Sequence, residues 1–322
     1  MNLLIDATLQ NAKQLFPPPF VINTYESIDE LLDLLPHHEL LVCRSTLKIT
    51  PQQLSTSSIQ CIATASSGVD HIDVDYLKKH NITLFDAKGC NAQAVVDYVT
   101  ACILWLETHQ KIQKKQAGII GMGHVGGLVR EKLLNLGFEV MCCDPIKAQQ
   151  DHQSTYVTLH DLKHCDVLLI HANLHNTTPY PSKNLINDDF LNHLKPNCII
   201  INASRGGIVD EHALLKTTKN IIYCTDVYEH EPQINQQIVD FATLCTPHIA
   251  GHTIEAKLNI MRILSQKIHT HYGLTPPKYP KTPVTTPLTP YNPAIETMAL
   301  KNGQDLTETF LQLRKAHVRH EY

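Results

Sequence analysis

The chain has 322 residues, 43% of them hydrophobic and 18% charged, with a formal charge of -4. That is apolar material for a real core, at a length that suggests two domains plus an appendage, and it argues against a disordered chain; without a dense basic run, nucleic acid is not expected as a partner. No apolar stretch reaches the roughly 18 residues needed to span a bilayer, and Met1–Asp6 lacks a basic and then apolar leader, so no membrane partner and a cytoplasmic location are expected.

Short apolar runs alternate with segments of helical period from the start. Leu3-Leu4-Ile5, Val21-Ile22, Leu40-Leu41-Val42-Cys43, Ile59-Gln60-Cys61-Ile62-Ala63 and Ile82-Thr83-Leu84-Phe85 read as strands. Ile28 to Leu35 and Val74 to His80, with apolar residues three and four apart, read as helices between them. This rhythm predicts a parallel sheet covered by helices. A long helix from about Gln93 to Gln113, carrying Val95, Val96, Val99, Cys102, Ile103 and Leu106, leads into a second alternation. Its strands are expected at Ala117 to Ile120, Phe138 to Cys143, Asp166 to His171, Cys198 to Asn202, Ile221 to Val227 and Leu244-Cys245, and six is the doubly wound count. Pro276, Pro277, Pro280, Pro283, Pro287, Pro290 and Pro293 then make a linker, since proline at this density blocks helix and central strand alike. The last segment, Ile295 to about Ala316, has a weak helical period and is expected as an isolated helix or two.

Most of the ten cysteines, among them Cys43, Cys61, Cys198 and Cys224, lie in the strand-like runs, where a thiol behaves as a small core hydrophobe. No CxxC pair occurs and no metal site is expected. Of the twenty histidines, His37, His38, His109, His269 and His271 sit in polar or segment-end surroundings and read as surface residues.

Chemistry concentrates at four places. The loop Gly121-Met122-Gly123-His124-Val125-Gly126 follows an apolar strand and opens a helix, the context in which GxGxxG holds a dinucleotide. Gly121 allows the tight turn, Gly123 lets the backbone approach a pyrophosphate, and Gly126 lets helix and strand pack closely. Asp144, eighteen residues after Gly126 at the end of the next strand, is placed to accept a hydrogen bond from a ribose 2'-hydroxyl. An acid there repels a 2'-phosphate, and Pro145-Ile146 supply no arginine, so the expected cofactor is NAD. The second place is Asn202-Ala203-Ser204-Arg205-Gly206-Gly207, leaving a buried strand at the edge where such sheets bind ligands; Arg205 suits a carboxylate clamped bidentately. The third, Asp226 to Pro232, and the fourth, Thr246 to Gly251, lie just beyond strands of the same sheet. Glu231 is expected to hold the far nitrogen of His248, fixing its tautomer and raising its pKa for acid and base work near neutrality.

With an arginine, a glutamate before proline and a histidine in this order behind a glycine loop, the chain resembles the D-isomer-specific 2-hydroxyacid dehydrogenase family from Met1 to about Tyr272. The resemblance implies two doubly wound α/β domains. Residues 1–92 and 253–272 would form a flavodoxin-like substrate domain, 93–252 a Rossmann NAD-binding domain, and 273–322 a proline-rich linker with the remnant of a dimerisation domain. It implies that His248 removes the C2-hydroxyl proton, that Glu231 stabilises the imidazolium and that Arg205 binds the carboxylate. Ala203, Ser204 and Gly251 join Gly121, Gly123, His124, Val125, Gly126 and Asp144 as cofactor contacts, with Asp226 facing the nicotinamide end. Val42 to Lys48, Thr64 to His71 and Gly89 to Tyr98 are similar to members acting on a phosphorylated 2-hydroxy acid, with Ser45, Ser66 and His252 touching it; a homodimer is expected. Arg44 and Lys48 flank Ser45 and suit a phosphate or polyol. His252 stands where the family has tyrosine, and Lys88 where it usually has proline. Other D-2-hydroxy acids, such as 3-phosphoglycerate or glycerate, and a non-enzymatic NAD-sensing role on the same fold remain open at this point.

Overall fold

The computed structural model describes residues 1–69, 71–112, 115–151, 155–279 and 291–321. Asp70 of the Thr64 to His71 segment, Gln113 of the expected long helix, and the linker prolines Pro280, Pro283, Pro287 and Pro290 lie outside them. The described residues form two compact units, one from 1–91 and 253–279, the other from 92–252 and 291–321.

The first unit holds a five-stranded parallel sheet of β1 (Asn2–Asp6), β2 (Val21–Tyr25), β3 (Leu40–Cys43), β4 (Cys61–Thr64) and β5 (Thr83–Asp86), in the order β2-β1-β3-β4-β5. Its central strands are buried on both faces, which is why they read as unbroken apolar runs rather than as alternations. Leu3, Ile5, Val42 and Ala63 face the helix Ile254–His271 through Met261, Leu264 and Ile268. Leu4, Leu41, Cys43 and Ile62 face the opposite layer with Leu31 and Leu77. The order reverses between β1 and β3, so the loops after these strands diverge and leave a crevice at their carboxyl ends.

The second unit holds six parallel strands: β6 (Gln116–Ile120), β7 (Glu139–Cys143), β8 (Val167–Ile170), β9 (Ile199–Asn202), β10 (Ile222–Thr225) and β11 (Leu244–Cys245). Their order is β11-β10-β9-β8-β6-β7, with the reversal between β6 and β8. Ile119, Leu169 and Ile201 pack against the helices Ala92–Thr108 and His124–Asn135, while Ile120, Leu168 and Ile200 face the other way. The helix expected to run to Gln113 stops at Thr108. Gln110 turns into the left-handed region (φ 55°), and Lys111 N–H closes back on Leu106 O at 2.8 Å, a Schellman-type end.

Two further expectations are corrected. The C-terminal helices, Pro293–Lys301 and Leu306–Ala316, are not isolated: Leu300 and Phe310 are fully buried in the core of the second unit, and Thr297 Oγ1 accepts from Cys245 N–H on β11 at 2.9 Å. A weak period hid this because only a few residues per helix meet the core. His38 and His269 are core residues, not surface ones. His38 bonds Leu34 O and the Asn23 amide, and His269 bonds Ser265 O between the rings of Phe16 and Phe20. A buried imidazole is tolerated when its ring nitrogens find partners. All ten cysteines are buried, and none is in a disulfide.

Candidate active site

The glycine loop sits at the β6/β8 reversal. Gly121 has φ +91°, and a Cβ on it would come within 2.6 Å of Ala172 N, so the turn that brings the loops after β6 and β8 together admits only glycine. A Cβ on Gly126 would meet Gly121 O at 2.1 Å, so the helix start lies directly on the turn. Around Gly123, by contrast, a Cβ would meet nothing within 4 Å. Bare backbone thus faces open space at the first turn of a twelve-residue helix, where unpaired N–H groups favour an anion, and the residues present fit a dinucleotide. Asp144 caps the next helix through Lys147 N–H (3.0 Å) and accepts from Met122 N–H (2.9 Å), so its carboxylate lies against the loop. His124 is exposed and Val125 half-buried. The sequence reading passed over His171, beside the turn: burial pushes its imidazole down to about 4, which keeps it neutral.

The other three motifs leave the carboxyl ends of β9, β10 and β11, which are neighbours. After β9, Asn202 ties its own loop: Oδ1 accepts from Ser204 N–H and Oγ, and Nδ2 donates to Arg205 O. Arg205 is half-buried, with Nη1 donating to Ser204 O at 2.8 Å. A Cβ on Gly206 would fall 1.8 Å from Tyr228 O, so this glycine seats the Arg205 loop on the loop after β10. Ala203 and Ser204 are half-buried in the same turn.

The expected pair is present: His248 Nδ1 lies 2.6 Å from Glu231 Oε2, and Glu231 Oε1 accepts from Tyr228 N–H at 3.0 Å. Burial works to raise the Glu231 carboxyl, but the His248 hydrogen bond and charge, Tyr228 N–H and Arg314 outweigh it and hold the group below the usual carboxylate range. With Nδ1 so engaged and the side chain 29% exposed, Nε2 is the ring nitrogen left for proton transfer. His248 adopts φ +56°, a strained choice for histidine.

Asp226 is what holds that conformation. Its carboxylate is buried and accepts from Ile249 N–H (2.8 Å), Ala250 N–H (2.8 Å) and Thr246 Oγ1 (2.6 Å), and Tyr98 OH donates on to Thr246 Oγ1 (2.7 Å). Burial raises the Asp226 carboxyl against the pull of His248 and of these bonds. The side chain expected at the nicotinamide thus secures the loop that presents His248. Gly251 and His252 end this loop half-buried, with His252 N–H on Ile249 O. Sequence spacing carried no sign of Tyr98, Thr246 or Gly206 in these roles, since each acts through a partner remote in the chain.

In the first unit, Ser45 and Ser66 follow the adjacent strands β3 and β4. Ser45 is exposed at the reversal point, while Ser66 Oγ accepts from Gly68 N–H at 3.2 Å and shapes its own turn. Arg44 Nε donates to Asp6 Oδ2 at 2.8 Å across the crevice mouth. Burial works to raise the Asp6 carboxyl, but the Thr8 bonds and Arg44 hold it low. Lys88, in place of proline, uses the N–H that proline lacks to reach Asp86 Oδ1 at 3.4 Å.

Residues 105–250 match the D-isomer specific 2-hydroxyacid dehydrogenase, NAD binding domain. A Legionella pneumophila (strain Lens) protein named erythronate-4-phosphate dehydrogenase is 49% identical, the alignment covering 100% of this chain and 95% of that protein. One of the same name from Marinomonas sp. is 36% identical, over 80% of this chain and 69% of its own. The crystal structure of Aquifex aeolicus D-lactate dehydrogenase with NAD and lactic acid superposes with a TM-score of 0.69 at 22% identity, covering 85% of this chain and 96% of that one. The last likeness speaks for the fold alone.

Proposed function

Because the chain belongs to the erythronate-4-phosphate dehydrogenase family, within the D-isomer-specific 2-hydroxyacid dehydrogenases, we propose that it oxidises 4-phospho-D-erythronate to 2-oxo-3-hydroxy-4-phosphobutanoate in pyridoxal 5'-phosphate biosynthesis. The cofactor is NAD, which when bound at the glycine loop takes the hydride from C2. The observation that carries the chemistry is the 2.6 Å bond between Glu231 and His248, with Nε2 left to act.

His248 Nε2 accepts the C2-hydroxyl proton as the hydride departs, and the imidazolium so formed is held by the Glu231 carboxylate. Arg205 pairs with the substrate carboxylate, and its charge polarises the neighbouring C2 oxygen. Ser45, Ser66 and His252 supply substrate contacts, and Ala203, Ser204, His124, Val125, Asp226 and Gly251 join the glycines and Asp144 at the cofactor. We also place the protein in the cytoplasm, as a homodimer. Ten cysteines outside any disulfide suit a reducing compartment, and no described helix is long and apolar enough to cross a membrane.

The deciding experiment is a panel of 2-hydroxy acids at fixed NAD, followed by NADH absorbance. Turnover of 4-phospho-D-erythronate is expected to exceed that of 3-phosphoglycerate and glycerate. Silence with it but turnover of either other acid would move the assignment, and silence with all would favour an NAD-sensing role.

A further inference from the structure

The C-terminal extension reaches the Glu231–His248 pair, a contact with no counterpart in the motifs that carry the proposed chemistry. Asp305 caps the helix Leu306–Ala316 by accepting from Glu308 N–H at 2.8 Å, and Phe310, fully buried, meets the Tyr228 ring edge-on at 6.0 Å. Leu306 and Leu313 pack into the same core. One turn beyond Phe310, on the same helix face, Arg314 places Nη1 4.0 Å from Glu231 Oε2, the oxygen that His248 shares. A second tie runs from Arg319, buried, whose Nη2 donates to Ala250 O (2.6 Å) two residues past His248 and to Ala94 O (2.9 Å).

We propose that Arg314 is a positioning residue of the Glu231–His248 pair, its guanidinium fixing the Glu231 carboxylate against His248 Nδ1, so that the C-terminal helix is a working part of the site. The inference rests on Glu231 and His248 being the proton-handling pair. Tyr228 N–H anchors one Glu231 oxygen, and His248 with Arg314 shares the other. Among the described groups around it, His248 and Arg314 are the two whose charge draws the Glu231 carboxyl down. Asp226, Glu211 and Glu229 are acidic, and the His230 side chain is 88% exposed and leans to Glu229. Arg314 thus adds to His248 in offsetting this acidic surround at Glu231. At 4.0 Å, with the guanidinium 35% exposed, the contact acts through charge rather than as a hydrogen bond.

The test is carbon-13 NMR of the glutamate carboxyls in the full-length protein, with Glu231 assigned by its loss in Glu231→Gln. In Arg314→Gln the Glu231 midpoint is expected to rise by about half a pH unit to one unit, because a nearby positive charge no longer favours the carboxylate. Arg314→Lys should restore it in large part, and Lys315→Gln, removing an exposed cation of the same helix, should leave it in place. Arg314→Met keeps the apolar stem and serves if the Gln variant loses its fold. In turnover of 4-phospho-D-erythronate, the acid limb of kcat/KM should move in the same direction with NAD affinity unchanged. A wild-type Glu231 midpoint in folded Arg314→Gln or Arg314→Met overturns the inference, as does an equal shift in Lys315→Gln. A wild-type protein without turnover would defeat the proposed reaction while the NMR titration still decides the role of Arg314.

Discussion

His248 stands in a left-handed backbone conformation, and three acceptor bonds on Asp226 keep it there. The loop that presents the imidazole is therefore only as well ordered as that carboxylate. Asp226→Ala should leave Ile249 N–H and Ala250 N–H buried without an acceptor, a loss of about 1–3 kcal/mol per group, and should lower kcat more than NAD affinity. Denaturant unfolding and NAD titration check the two parts. His248→Ala should cut kcat by about 100-fold to 10,000-fold with NAD binding intact, as stopped-flow and cofactor fluorescence would record. Glu231 gives a pH signature. Its folded carboxyl sits below the ordinary range because the His248 bond, Tyr228 N–H and Arg314 together outweigh burial, which acts upward. The native state thus holds this proton less tightly than the unfolded chain. Its stabilisation is present in full above the ordinary carboxylate range and is lost as pH falls through the depressed value. Unfolding free energies measured between pH 7 and pH 3 should fall less steeply in Glu231→Gln than in the wild type. A slope as steep in the variant would show that the contacts around Glu231 are not linked to folding.

Among the elements, the strands were the most legible and the helix ends the least. Runs such as Leu40 to Cys43 and Ile199 to Asn202 announce themselves because parallel strands covered on both faces carry apolar residues at every position. The end of the helix at Thr108 depended on Gln110 entering the left-handed region, which a glutamine does not advertise. The C-terminal helices were legible as helices and not as core, because their burial is carried by Leu300 and Phe310 meeting a sheet distant in sequence. Phe310→Ala should cost about 3–5 kcal/mol of stability, the range for truncating a buried aromatic residue. Since Phe310 braces Tyr228, it should also lower activity at temperatures where the variant is still folded. Calorimetry with a parallel rate assay separates the two effects, and an unchanged melting temperature would mean that the helix is not docked in solution. Gly206→Ala should be no milder, because its Cβ would collide with the Tyr228 carbonyl, part of the backbone, which has no rotamer to yield.

At the scale of the whole molecule, cofactor preference is the property most directly open to measurement. NAD at 100 times its Kd should add about 2.7 kcal/mol to the stability of the state that binds it, raising the melting temperature by several degrees. NADP should do much less, because Asp144 lies against the loop where a 2'-phosphate would bring a second negative charge. Equal shifts from both cofactors would remove Asp144 from the adenosine site.

The strand count of each sheet, the glycine turn between strand and helix, and the pairing of Glu231 with His248 were readable from the chain alone. The reason is that periodicity and motif spacing are local, and a dinucleotide loop needs its glycines within six consecutive residues. The tertiary structure decided how those residues are held. Tyr98 reaches Thr246 across 148 positions, Gly206 exists for the backbone of Tyr228, and Arg314 arrives at Glu231 from the far end of the chain. Such contacts depend on which surfaces the sheet brings together, and no spacing in the sequence encodes them.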